Sequence, residues 1–297
     1  FTHIDDSLSD LDICAGIASE AKDSPRKLEK ISQYIKGRYN LVLLSPEGIF
    51  NIRDPWGFKS FPIGRNGEGC CSVTTESAGF EQIDMDIIRE TKRGEINIIE
   101  KTGFNPLGQV LSKTSALDFF DIIYGLSPAS YFEDISVWLA RFEIGRKMAR
   151  RYPVKADIVS SFPLSSIPAA QGFAFELGIP YILTWQYNPL GKSYLRMNQE
   201  ERIKVARGKL SPLEEALRMF KKIVFVEDSI VGGTQLLARL FRVHRLMKEF
   251  HGNDYEIHLR ISCPPKAYPC IIERPFRSRD ELFGATHTKE GMRDEFQ

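Results

Sequence analysis

Residues 222–234, Lys-Ile-Val-Phe-Val-Glu-Asp-Ser-Ile-Val-Gly-Gly-Thr, constrain the fold more than any other stretch. Ile223 to Val226 are four apolar residues in a row. A strand covered on both faces needs no polar alternation, so this run reads as a buried parallel strand. Glu227 and Asp228 follow at its end, then Ser229 and the pair Gly232 and Gly233. From Thr234 the pattern turns helical, with Leu236, Leu237, Leu240, Phe241, Val243 and Met247 near a 3.6-residue period. The segment is therefore strand, acidic tip, glycine loop and helix.

That order of residue types has a definite chemistry. Glycines let backbone approach a ligand closely. Free N–H groups at a helix N-terminus, with the positive end of the helix dipole, attract a phosphate. Two carboxylates beside the cradle would repel that phosphate; they make sense facing something else, such as sugar hydroxyls or Mg2+, which prefers hard oxygen ligands. A ligand carrying a phosphate, a ribose and a metal-bound pyrophosphate satisfies all of these demands. The plainer reading is an ordinary strand–loop–helix turn with a capping side chain. Capping alone does not call for Glu-Asp followed by Gly-Gly-Thr.

The 297 residues suit two domains rather than one small core. A formal net charge of +1 offers no electrostatic argument for nucleic acid or for a membrane surface. No apolar run approaches the roughly 20 residues of a membrane span. Cys14, Cys70, Cys71, Cys263 and Cys270 are odd in number and irregular in spacing, which argues against a disulfide framework and for a reducing, cytoplasmic setting. The histidines are scattered without zinc-ligand spacing.

Residues 8–36 read as two helices divided at Asp23-Ser24-Pro25. A β region follows: a hairpin from Asn40–Leu44 and Ile49–Ile52, then strands at 59–63, 70–75 and 96–100 in a mostly antiparallel sheet. Residues 101–117 read as a linker. An amphipathic helix is expected from Ile135 to Arg150, with Ile135, Trp138, Leu139, Phe142 and Ala149 inward. A βα series then begins, with strands at 156–159, 181–185, 223–226 and 257–261. Strands alternating with helices predict a parallel sheet with ligand loops at the strands' C-terminal ends.

The stretch Val226-Glu227-Asp228-Ser229-Ile230-Val231-Gly232-Gly233-Thr234-Gln235 resembles the phosphoribosyl pyrophosphate (PRPP) signature of type I phosphoribosyltransferases. In detail it is most similar to the amidophosphoribosyltransferase form, Val-Asp-Asp-Ser-Ile-Val-Arg-Gly-Thr-Thr. Glu227 stands for the first Asp, Gly232 for the Arg and Gln235 for the second Thr. Further likenesses occur in collinear order. Arg53-Asp-Pro-Trp-Gly57, Thr75-Glu76-Ser77 and Arg93-Gly-Glu95 resemble parts of the family's glutaminase domain. Asp118 to Ser130 resembles its domain junction, and Leu139 to Gly145 the helix after it. Arg260-Ile-Ser-Cys-Pro-Pro265 with Tyr268-Pro-Cys270 resembles a later segment.

The resemblance implies an α/β type I phosphoribosyltransferase domain, a parallel sheet flanked by helices, over residues 116–297. Before it, residues 1–115 would form a partial α+β glutaminase-like domain of the N-terminal nucleophile type. The family's glutaminase uses an N-terminal cysteine. Cys14 is internal and reads as a small buried side chain, so glutamine hydrolysis is not expected from this chain alone. Asp118 stands where some members place a cluster-binding cysteine, so an iron–sulfur cluster is not expected.

Three loops would converge on PRPP. Phe162-Pro-Leu-Ser-Ser166 matches the family's pyrophosphate loop, with Leu164 in place of an Asp; Ser165 and Ser166 would bind there. A polar stretch from Tyr187 suits a lid whose Lys192, Arg207 and Lys209 reach the departing pyrophosphate. Glu227, Asp228, Ser229, Gly232, Gly233 and Thr234 form the third loop. Ser165, Glu227 and Asp228 would hold Mg2+. The implied reaction is attack of ammonia, free or glutamine-derived, at the anomeric carbon. It gives 5-phosphoribosylamine and pyrophosphate, the first step of purine synthesis, with no protein nucleophile. Purine nucleotide effectors and a homo-oligomer are implied as partners. The other reading is a non-catalytic PRPP- or nucleotide-binding regulatory descendant.

Overall fold

A computed structural model describes residues 9–101, 103–189, 208–270, 278–288 and 291. The chain divides into two units. One is Phe1–Asp121 with Ala129–Ser136; the other is Ile122–Pro128 with Val137–Gln297.

The first unit opens with α1 (Asp10–Ser19) and α2 (Ser24–Tyr34). Ser9 and Asp12 form a reciprocal capping box on α1. Asp23 caps α2, accepting from the Arg26 N–H, with Pro25 in the first turn. Then come β1 (Asn40–Ser45), β2 (Gly48–Arg53), β3 (Pro62–Arg65), β4 (Cys71–Val73), β5 (Asp86–Glu90), β6 (Glu95–Glu100) and β7 (Gly103–Gln109). They build two antiparallel sheets, β1-β2-β6-β7 and β4-β3-β5. The helices pack Ile17, Leu28 and Ile31 onto Phe50, Ile52 and Ile96. The expected linker at 101–117 is thus partly strand β7. Its largely exposed residues and Pro106 hide the strand pattern, and an edge strand tolerates both. A short pair, β8 (Tyr131–Phe132) and β9 (Ile135–Ser136), completes the unit.

Arg53 is buried in this unit. It donates to the carbonyls of Lys59, Thr91 and Gly57 at 2.6, 2.8 and 3.0 Å and to Glu133 Oε1 at 2.9 Å. Asp54 Oδ1 accepts from the N–H groups of Trp56 and Gly57, which makes the Asp-Pro-Trp-Gly turn. Gly57 turns there at φ +82°.

The second unit runs α3 (Val137–Arg151), β10 (Ile158–Ser161), α4 (Ile167–Leu177), β11 (Trp185–Tyr187), β12 (Leu210–Pro212), α5 (Glu214–Met219), β13 (Lys222–Glu227), α6 (Thr234–His251), β14 (Glu256–Ile261) and α7 (Phe283–Thr286). The parallel sheet has the order β10-β13-β14, with Tyr181 bridging in parallel to Val159. This is the α/β architecture expected. β13 is central and covered on both faces. Ile223 and Phe225 enter a core with Phe162, Leu236, Val243 and Met247. Val224 and Val226 enter another with Ala149, Ala170 and Phe173. Among the described residues no helix is long and apolar enough to cross a membrane.

Three further expectations need correction. The helix expected from Ile135 starts at Val137, because Ile135 and Ser136 pair with β8. Its buried residues are Val137, Arg141, Gly145 and Ala149, while Trp138 and Leu139 are exposed. Small residues let α3 and α4 approach backbone to backbone, and that decides which face turns in. The strand expected at 181–185 is a single bridge at Tyr181; β11 begins at Trp185 and pairs antiparallel with β12. Finally, Phe241 of the expected apolar face of α6 is 72% exposed.

Candidate functional site

β10 and β13 run side by side with Ser161 opposite Val226, so their C-terminal ends open on the same edge of the sheet. The loop after β10 carries Ser165 and Ser166. The loop after β13 carries Glu227 to Gly233. The structure joins the two directly: the Ser165 hydroxyl donates to Asp228 Oδ2. Ser229 Oγ donates to Asp228 Oδ1 at 2.5 Å. Each carboxylate oxygen of Asp228 thus accepts one hydroxyl and keeps further lone pairs.

The backbone of the acidic pair is fixed from the neighbouring strand. The Ser262 N–H donates to the Glu227 carbonyl at 3.0 Å, and the Cys263 N–H to the Asp228 carbonyl at 2.8 Å. Ser262 Oγ adds a bond to the Asp228 carbonyl at 3.1 Å. The segment after β14, singled out in the sequence only by resemblance, therefore clamps the tip of β13. The Cys263 thiol is pushed up to about 11 by burial first and by the Asp228 charge second.

Glu227 is almost fully buried. Its Oε1 accepts from Arg239 Nη1 at 3.2 Å, while Oε2 lies buried with no hydrogen-bond partner among the described residues. Burial, and next the charge of Asp228, push its carboxyl up to about 8; Arg239 and the Ser166 hydroxyl pull the other way. Arg239 is not among the residues singled out in the sequence, where it stands between Leu236 and Leu240. Its only trace was a position little more than one turn into a helix that starts beside two carboxylates.

Gly233 is the N-cap of α6 at φ +77°, and no side chain caps that helix. The capping reading of this turn therefore lacks its capping side chain. Gly233 needs its missing side chain twice over, for the left-handed backbone and because a Cβ would lie 3.0 Å from Phe283 Cδ2. Phe283 also donates its N–H to the Val231 carbonyl at 2.8 Å, so α7 braces the loop. Gly232 is different. Among the described residues a Cβ there would meet nothing closer than the Glu281 carbonyl at 3.6 Å, which leaves room for a side chain. Thr234 and Gly232 are exposed.

Ser166 is buried, caps nothing with its side chain and donates its hydroxyl to the Phe162 carbonyl. Leu164, at the position where an Asp was expected by resemblance, is 55% exposed, and the Pro163–Leu164 peptide is cis. Lys192 and Arg207 lie outside the described residues. Lys209 stands at the base of the expected lid, beside the β11–β12 ladder. Its carbonyl accepts from the Asn188 N–H at 2.7 Å, and Asn188 Nδ2 donates to the Gly208 carbonyl and to Ser211 Oγ.

The donors at the strand ends are hard oxygens, from Ser165, Asp228 and the unpartnered Glu227 Oε2. Among the described residues no group of three or more His, Cys, Asp or Glu could enclose a metal ion. Such a set fits a cation shared with a ligand's own oxygens, as Mg2+ is commonly held with phosphates and waters.

No protein-family model matches the chain. It is 33% identical over 274 residues to the amidophosphoribosyltransferase of Archaeoglobus fulgidus, covering 91% of this chain and 58% of that protein. It is 31% identical over 310 residues to the Methanocaldococcus jannaschii amidophosphoribosyltransferase, covering 97% of this chain and 64% of that one. Among solved structures, glutamine PRPP amidotransferase from B. subtilis, complexed with ADP and GMP, superposes with a TM-score of 0.82 at 28% identity. That match covers 99% of this chain and 64% of the other. The chain therefore spans less than two thirds of the length of these relatives.

Proposed function

The chain belongs to the amidophosphoribosyltransferase family over the stretch it shares with it, and on that premise we propose that its second unit transfers ammonia to PRPP. The products would be 5-phosphoribosylamine and pyrophosphate. The observation that carries this reading is the hydroxyl–carboxylate bond from Ser165 to Asp228, which unites the expected pyrophosphate loop and the expected ribose–phosphate loop in one site.

In this reading the glycine loop and the start of α6 take the 5′-phosphate, where backbone N–H groups and the helix dipole favour negative charge. Asp228 and Glu227 take the ribose hydroxyls. The Ser165 loop takes the pyrophosphate end. Mg2+, bound with the substrate by Ser165, Asp228 and Glu227, would offset the negative charge growing on the leaving group. The ammonia lone pair forms the new C1–N bond while the C1–O pair departs with pyrophosphate, and one N–H proton is released. The chain's part is to hold the sugar between the two loops and to stabilise the leaving group. The test is pyrophosphate release from PRPP with ammonium and Mg2+. Release that depends on all three is expected, and its absence while PRPP still binds would overturn the catalytic claim.

One observation favours the second reading, a regulatory protein that binds PRPP or a nucleotide without turnover. The exposed Leu164 puts an apolar side chain where the resemblance calls for a carboxylate. Binding without pyrophosphate release, in both wild type and Leu164→Asp, is the result that reading requires.

A further inference from the structure

Among the described residues, one hydrogen bond of good geometry holds the first carboxylate of the acidic pair. Arg239 Nη1 donates to Glu227 Oε1 at 3.2 Å, and among the described residues the buried Glu227 Oε2 has no hydrogen-bond partner. A buried carboxyl oxygen left in that state is costly whether or not it carries the proton, so a ligand hydroxyl, which can both donate and accept, gains more there than at a solvated acid. Arg239 has other attachments that fix its own position. Its guanidinium lies 5.6 Å from the ring centroid of Phe162, and Nη2 donates to Gln235 Oε1 at 3.4 Å. One side chain on α6 therefore touches the acidic strand end and the first residue of the Ser165 loop.

Residue 227 is Glu where the resembling signature has Asp. The extra methylene adds a rotatable bond, and a longer carboxylate needs an anchor to present one oxygen in one direction. Arg239 is that anchor, and its charge also offsets the repulsion between Glu227 and Asp228.

We propose that Arg239 is a positioning residue of the PRPP site: it fixes Glu227 through Oε1 and leaves Oε2 for a hydroxyl of the bound phosphoribosyl group. This rests on the PRPP reading above. It adds a residue of α6, outside the strand-end loops, and a stated interdependence between residues 227 and 239.

The experiment is equilibrium dialysis of radiolabelled PRPP with Mg2+ against wild type, Arg239→Met, Arg239→Lys, Glu227→Asp and the Arg239→Met/Glu227→Asp double variant. Ligand-free melting curves are recorded for each. Arg239→Met is expected to weaken binding about ten-fold, and Arg239→Lys to recover part of the loss. In the Glu227→Asp background the shorter acid no longer reaches Arg239, so Arg239→Met is expected to change affinity less than about two-fold. If Arg239→Met does not melt cooperatively, the comparison is made with Arg239→Lys in both backgrounds. Equal affinity of wild type and Arg239→Met, or losses that simply multiply in the double variant, would overturn the proposal. Failure of the wild type itself to bind PRPP would overturn the PRPP reading instead.

Discussion

Gly232 and Gly233 are neighbours with different obligations. Gly233 sits at φ +77° with Phe283 against it, whereas Gly232 faces open space beyond an ordinary contact. Gly233→Ala is therefore expected to destabilise the protein by about 1 kcal/mol or more. Gly232→Ala should stay within about 0.5 kcal/mol of wild type. Denaturant melts of the pair check this, and equal losses would contradict the loop geometry. Gly232→Arg, the residue the resembling signature carries, should also fold. The cysteines make a second comparison. Burial and the Asp228 charge push the Cys263 thiol up to about 11, which disfavours its thiolate at pH 8, while Cys70 is exposed. Iodoacetamide at pH 8 followed by mass spectrometry should modify Cys70 well before Cys263. Early labelling of Cys263 would show that the strand end is more open than described.

Helices α3 and α4 meet through glycine. A Cβ on Gly145 would collide with the Ala169 carbonyl, and one on Gly172 with the Phe142 carbonyl. Backbone cannot yield as a side chain does, so either Gly→Ala change should cost about 3 kcal/mol or more, read from the shift in denaturant midpoint. A loss below about 1 kcal/mol would mean the helices are further apart. This contact also shows where the sequence was hard to read. Hydrophobic periodicity weights Trp138 and Leu139, yet the face that packs is Val137, Arg141, Gly145 and Ala149, chosen by size and by the carbonyls that Arg141 reaches at Ile122 and Leu126. β13 was legible because burial on both faces leaves an unbroken apolar run. β7 was not, because an edge strand with exposed side chains and a proline carries no such signal. At the site, the Ser165 and Asp228 loops were legible as loops following strands. Their convergence followed from the family resemblance, but the bond that joins them did not, since a hydrogen bond between residues 63 apart in sequence leaves no local pattern.

Across the molecule, two units with separate cores lie within a chain that spans less than two thirds of the length of the relatives it matches. The family likeness runs through both, but the proposed ammonia transfer draws on the second alone. The account is most exposed at Asp228, whose two carboxylate oxygens accept from both converging loops. Titration calorimetry of PRPP in the presence of Mg2+ into wild type and Asp228→Asn tests it directly. Measurable heat of binding is expected for wild type, with affinity at least about ten-fold weaker in Asp228→Asn, because a charge-assisted hydrogen-bonding partner is lost. Equal isotherms for the two proteins, or no heat from either, would contradict the assignment of this strand end as the PRPP site.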